Sequence, residues 1–201
     1  MEIRERIIDG AAELFMSYGI RAVTMDSIAQ HLGMSKRTIY EVFRDKNDLL
    51  IGVLNIMSER QKTLVEKVLN ESENSIFAIF KLLEINTVHF QNISPAFQLD
   101  IKKFHRDVMT GKSDEGDLPG YKVNMLLIEQ GIKENYFRDN INPDVVSRCL
   151  FLLIRSIMDQ DLFPSAGFTR REVVKNLFVN YLRGISTEKG LELINRLDSE
   201  F

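Results

Sequence analysis

Apolar residues recur at three- and four-residue spacing along almost the whole chain, and no stretch sustains the period-two alternation of a half-buried strand. The pattern predicts an all-helical fold, with helices over 3–18, 25–32, 36–43, 46–70, 74–92, 95–108, 119–135, 143–162, 169–185 and 188–198. Pro95, Pro119 and Pro143 each follow a polar residue or turn and precede an amphipathic run, the first-turn position where the missing N–H costs nothing. Pro164 instead follows the run ending at Phe163 and precedes Ser165, Ala166 and Gly167, the composition of a helix stop. Thr169 and Glu172 then have the spacing of a capping box, which starts another helix. The polar segment from Thr110 to Asp117 reads as a loop. Its Gly111-Lys112-Ser113 lacks the upstream glycine and the preceding strand that a phosphate-binding loop needs.

Three short helices precede seven others, so the chain divides into an N-terminal head over 1–46 and a helical body over 47–201. Residues 25–43 of the head meet the packing demands of two short helices crossing over a tight turn. Ala29 is small where the second helix must approach, and Gly33 stands where the turn needs a left-handed backbone. Ile28, Leu32, Met34, Ile39 and Val42 form the shared apolar seam, and Phe43 extends it. Thr24 and Ser35 have the chemistry and position of N-caps. If Ile39 and Phe43 face inward, Lys36, Arg37, Tyr40 and Glu41 face solvent with Thr38 at the margin. That is the face a DNA major groove would meet. Lys36 or Arg37 can donate to guanine, Glu41 can accept from cytosine N4, and Tyr40 can donate to a phosphate.

Charge first argues against this reading, because Asp and Glu outnumber Lys and Arg by 29 to 26 and the formal net charge is -3. The balance reverses locally. Between Ser35 and Lys46 stand Lys36, Arg37, Arg44 and Lys46 against Glu41 and Asp45. Lys46, in the first turn of the long fourth helix, opposes that helix's dipole unless an anion such as a phosphate compensates it. The lone Cys149 can form neither an internal disulfide nor a zinc cluster, and the charged amphipathic start is not a signal peptide. The expectation is a cytoplasmic protein. No apolar run approaches the roughly 20 residues of a membrane span, so no membrane partner is expected.

The run from Ile7 to Phe15, then Tyr18-Gly19-Ile20, Val23-Thr24-Met25, Ile28-Ala29, Gly33-Met34-Ser35-Lys36, Thr38-Ile39-Tyr40, Phe43, Lys46 and Leu49, resembles the N-terminal signature of TetR-type bacterial regulators. These include AcrR-like repressors. The resemblance implies a three-helix DNA-binding head with a helix-turn-helix, followed by a helical body that binds ligand and dimerises. On that likeness Thr24, Ser35, Tyr40 and Lys46 match phosphate-contacting positions, while Lys36, Arg37 and Glu41 lie where base contacts vary. Arg37 departs from the small residue, often glycine, that is commoner there. It also implies a homodimer on a double-stranded, inverted-repeat operator, released by an unidentified small hydrophobic or amphipathic inducer, with no cofactor, no metal and no catalytic residues.

Beyond residue 50 the likeness is looser. Glu129 to Arg138 resembles the family's seventh-helix end, with Asn135 replacing a common glycine, and asparagine tolerates the left-handed conformation that closes a helix. The run from Val145 to Leu162 is apolar around much of its circumference, so it needs both a core and a partner. We expect it to form the dimer interface with 169–185, with Phe178, Tyr181 and Leu182 taking part. Phe80, His89, Phe90, Phe97, Phe104, Tyr121, Met125 and Arg155 are the pocket candidates. An aromatic and methionine stripe at helical spacing is more often core than ligand box. Arg155 either pairs with Asp159 one turn on or meets an anionic ligand.

Two rival readings exist. An enzyme would have to use His31, His89, His105 or Cys149, and none of these falls in a metal-ligand or catalytic spacing. A helical interaction protein without DNA binding would suit the acidic total, and the local basic cluster argues against it.

Overall fold

The computed structural model describes residues 2–91, 93–104, 120–157, 159, 161–164 and 166–200, and of these the side chains of 88–91, 102, 104, 155 and 200 lie outside the description. The chain runs α1 (Ile3–Tyr18), α2 (Met25–Leu32), α3 (Lys36–Val42), α4 (Lys46–Glu71), α5 (Ser75–Gln91), α6 (Pro95–Phe104), α7 (Tyr121–Lys133) and α8 (Pro143–Ile157). It continues with α9 (Arg170–Val174), a π-helical turn (Lys175–Val179), α10 (Asn180–Ile185) and α11 (Glu188–Glu200). Among the described residues the only β feature is an isolated bridge between Phe137 and Ser186. The expected loop over 110–117, the helix start at Pro119, His105 and the end of the 95–108 helix lie outside the described residues.

Two compact units divide the chain: residues 1–64 with 92–112, and 65–91 with 113–201. In the first, α1, α2 and α3 surround Ile7, Ile8, Ala11, Phe15, Ile28 and Ile39, and Leu49, Leu50 and Val53 of α4 close the core. Phe97 and Ile101 of α6 join that same core. Two hydrogen bonds hold α6 there: Ser94 N–H to the Met16 carbonyl at 2.8 Å, and Arg21 N–H to the buried Asp100 carboxylate at 2.9 Å.

The second unit is built on Ile76, Phe80 and Leu83 of α5, Ile128 of α7, Leu150 of α8 and Val179, Leu182 and Ile194 from the C-terminal helices. Asn135 adopts φ 60°, and its N–H bonds the Ile132 carbonyl while Tyr136 N–H bonds Gly131. This pair of bonds is the left-handed closure the sequence implied for α7. Glu134 next to it accepts from Ser75 N–H at 2.9 Å and Ser75 Oγ at 2.6 Å, and so caps α5 from a distant part of the chain. Burial alone would raise the Glu134 carboxyl. Hydrogen bonds from Ser75 and Gln130 and the charge of Lys189 outweigh burial and hold it below its ordinary range.

Two expected helices differ. The run over 143–162 stops at Ile157 because the Asp161 N–H, which would have bonded the Ile157 carbonyl, bonds the Asp159 carboxylate at 2.9 Å instead. Arg170 Nη1 takes the Ile157 carbonyl at 2.6 Å and the Phe163 carbonyl at 3.1 Å. The 169–185 run starts on the expected Thr169–Glu172 capping box but is not uniform. At Lys175–Val179 it widens to a π turn, where the Asn180 N–H reaches the Lys175 carbonyl five residues back. The Asn176 and Asn180 amides donate to the carbonyls of Glu172 and Asn176, covering groups at the widened turn.

Candidate nucleic-acid interface

The chain between α2 and α3 makes the tight turn that a helix-turn-helix requires. Gly33 sits at φ 63°, its N–H bonded to Gln30 and the Met34 N–H to Ala29, so α2 ends and the chain reverses within two residues. Thr24 caps α2 in a reciprocal box with Ser27: its side chain accepts the Ser27 N–H at 3.1 Å while Ser27 Oγ accepts the Thr24 N–H at 2.9 Å. Ser35 caps α3 by accepting the Thr38 N–H at 3.1 Å. These local bonds set the axis of α3. Ile39 (0% exposed) and Phe43 (2%) fix its roll about that axis.

With the apolar side fixed, Lys36, Arg37, Tyr40 and Glu41 face solvent, and Thr38 is half-buried at the margin. The Arg37 side chain is 88% exposed and its Nε lies 3.0 Å from Glu41 one turn on. Lys36 Nζ lies 2.8 Å from Asp26 at the start of α2, and the hydrogen bond to that carboxylate, then its charge, raises the Lys36 pKa. The Lys36 ammonium also stands 6.0 Å from the centre of the Tyr40 ring. Two of the exposed cations on this face are therefore held by carboxylates of the same unit, which restricts where they point.

Lys46 has a task that periodicity and charge counting did not reveal. Its Nζ donates to the Ile20 carbonyl at 3.0 Å and the Val23 carbonyl at 2.8 Å, tying the start of α4 to the α1–α2 connection. That leaves one of its three N–H groups for another acceptor. His31 is exposed with its Nε2 3.2 Å from Glu13, a surface pairing within the head.

A model of bacterial regulatory proteins of the tetR family matches residues 7–53, the stretch holding these elements. The chain belongs to the TetR family. Its relatives include the uncharacterised HTH-type transcriptional regulator YhgD of Bacillus subtilis (28% identical, over 88% of this chain and 97% of that one). They also include the HTH-type transcriptional repressor KstR2 of Mycobacterium tuberculosis (26%, over 92% and 94%). The fold likewise matches a putative transcriptional regulator from Saccharomonospora viridis solved in complex with choline, with TM-score 0.67 and 19% identity over 92% of this chain and 98% of that one. The protein is thus an all-α TetR-family DNA-binding transcriptional regulator and not an enzyme.

The described body candidates fall in both units. Phe80 is core of the second unit, whereas Phe97 is core of the first, because α6 packs with the head helices. Tyr121 donates its hydroxyl to Asp144 and lies under the Arg148 guanidinium, 5.3 Å from its ring centre, in a half-exposed cluster. Met125 receives the Ser147 hydroxyl at 3.6 Å from sulfur. The side chains of His89, Phe90, Phe104 and Arg155 lie outside the described residues. Phe178 and Leu182, expected at a subunit interface, are 3% and 0% exposed within the protomer and belong to its own core. Tyr181 is half-buried. Burial, and then the neighbouring Cys149, push its hydroxyl up to about 12.

Among the described residues no helix is long and apolar enough to cross a membrane, and no group of three His, Cys, Asp or Glu side chains could hold a metal ion.

Proposed function

We propose that the protein is a homodimeric repressor acting in the cytoplasm. Residues 1–46 grip an inverted-repeat operator, and 47–201 carry the dimer contacts and the site for a small-molecule inducer. The observation that carries this reading is the split of α3: Ile39 and Phe43 sealed in the head core, with Lys36, Arg37, Tyr40 and Glu41 turned outward on one rigid face. A helix so anchored can enter a major groove without rearranging. The short α3 suits the docking of a recognition helix, with Thr24, Ser35, Tyr40 and Lys46 on phosphates, Lys36, Arg37 and Glu41 toward bases, and Thr38 at the margin of the DNA-facing side.

Exposed apolar residues on α8 support dimerisation. Val145 (54%) and Leu152 (62%) stand two turns apart on one side of α8, with Arg148 between them, and large apolar groups on one helix face favour a partner surface. On the helix that follows, Asn176, Asn180 and Gly184 rather than Phe178 and Leu182 are exposed to meet it. Two heads related by a two-fold axis would reach half-sites about 34–36 Å apart. Repression is the reading the KstR2 likeness supports, and a ligand that favours another spacing of the heads would lower operator affinity by linkage.

Footprinting of the DNA upstream of the gene against rising salt tests this. Protection of an inverted repeat that weakens steeply with salt is expected. Arg37→Ala should change which operator is preferred, whereas Tyr40→Phe should weaken all sequences alike. No protection at any salt, or a monomeric mass at footprinting concentrations, would refute it.

A further inference from the structure

The second unit holds a small, open-mouthed recess of about 30 Å3. Leu83, Ile154 and Ile157 give it apolar walls, Asn86 and Thr87 of α5 add an amide and a hydroxyl, and Arg170 lines it from the first turn of α9. That volume exceeds the roughly 10–15 Å3 that one water requires, so it admits a compact polar group. The recess is far smaller than a whole small-molecule site, so it can take only one end of a ligand.

Arg170 is unusual in how its side chain is held. Its guanidinium is held at one end but not fully satisfied: Nη1 is bonded to the Ile157 and Phe163 carbonyls, while Nη2 is buried with no hydrogen-bond partner among the described residues. A buried N–H group left without an acceptor is costly, and most so on a charged group. An anion bound there would supply the missing acceptor.

We infer that this recess is the head-group end of the inducer site, and that it takes a carboxylate on a short apolar tail, with Arg170 Nη2 as the reading donor. The inference rests on the reading above that the body binds a small inducer, and adds the ligand's chemistry. The carboxylate occupies the recess against Nη2, the Asn86–Thr87 wall gives its second oxygen polar surroundings, and the tail leaves through the open mouth past Leu83, Ile154 and Ile157. A quaternary ammonium head is excluded by charge. Because Arg170 also holds the end of α8, occupancy bears directly on the helix whose exposed side carries Val145 and Leu152.

The test uses the full chain and three probes of equal tail length: octanoate, octanol and octyltrimethylammonium, titrated by calorimetry, with operator footprinting run in parallel. Octanoate should bind about tenfold or more tighter than octanol, the scale of a charge-assisted hydrogen bond, and the ammonium should not bind. Arg170→Gln should erase the preference for octanoate. If that variant fails to fold for want of its helix-end bonds, Thr87→Phe, which fills the recess and leaves Arg170 intact, should remove octanoate binding. Equal affinity for the acid and the alcohol, binding of none of the three, or an undiminished preference in a folded Arg170→Gln protein overturns the inference. Operator protection without octanoate binding defeats this inference alone. Octanoate binding without operator protection leaves the site standing and defeats the DNA reading.

Discussion

Replacing Lys46 separates its structural role from its DNA role. In Lys46→Met the aliphatic stem survives, but the two bonds to the Ile20 and Val23 carbonyls, at 3.0 and 2.8 Å, are lost. Hydrogen bonds from a charged donor contribute about 1.5–3 kcal/mol each. Lys46 is only half-buried, so water takes over part of what is lost, and we expect about 2 kcal/mol for the pair together. For a chain of this size that lowers the melting temperature by about 4–8 °C, read by circular dichroism on the apo protein. Operator affinity should fall on every sequence, since the connection between α1 and α2 that Lys46 holds leads directly into the Thr24 cap. If its remaining N–H also meets a phosphate, the slope of log affinity against log salt falls by about one counterion. A melting temperature unchanged in Lys46→Met would refute the tether. A changed melting temperature with an unchanged salt slope would remove Lys46 from the phosphate contacts and leave its structural role.

Ile39→Ala, at a position with no exposed surface in the head core, should cost about 2–5 kcal/mol and abolish operator binding, measured by urea unfolding and gel shift. Glu134→Gln should destabilise the body at neutral pH. The wild-type carboxyl is held below the ordinary value of about 4.3, so its contribution is fully present above that value and lost as pH falls through the lower folded pKa. The gap in melting temperature between the two proteins should therefore hold steady above the ordinary carboxylate value and close as the pH falls below it, and a gap constant down into the acid range would refute the capping role. Asn135→Ala, at φ 60°, should cost about 1 kcal/mol while Asn135→Gly is neutral or stabilising; equal melting temperatures for the two variants would contradict the left-handed closure.

Features that depend on near neighbours were legible in the sequence. The Thr24, Ser35 and Thr169 caps, the Gly33 turn and the Asn135 closure are settled by residues within a few positions, and each has the expected conformation. The roll of α3 followed from the same local period, so the exposed set from Lys36 to Glu41 was readable too. What depends on distant parts of the chain was not. The end of α8 at Ile157 needs Arg170, thirteen positions on, to claim its carbonyl. Phe97 has the pattern of any core aromatic, and its membership of the head core rests on α6 packing against α1. Phe178 and Leu182 look identical in sequence whether a helix buries them in its own subunit or against another. The Lys46 bonds, with their acceptors in backbone carbonyls, left no trace in side-chain chemistry. Arg170 did leave one, a cation in a first helical turn, but many surface helices tolerate that.

The widened turn at Lys175–Val179 behaves as a one-residue insertion carried inside an otherwise regular helix. Losing a single codon there would let the segment wind uniformly, and every side chain downstream would swing by about 100° around the axis. Leu182 and Ile185 would leave the core and polar neighbours would enter it. The segment can thus absorb almost any conservative exchange of side chains while having almost no tolerance for a change in length, so related chains that lack the bulge should differ from this one by a gap and not by a substitution.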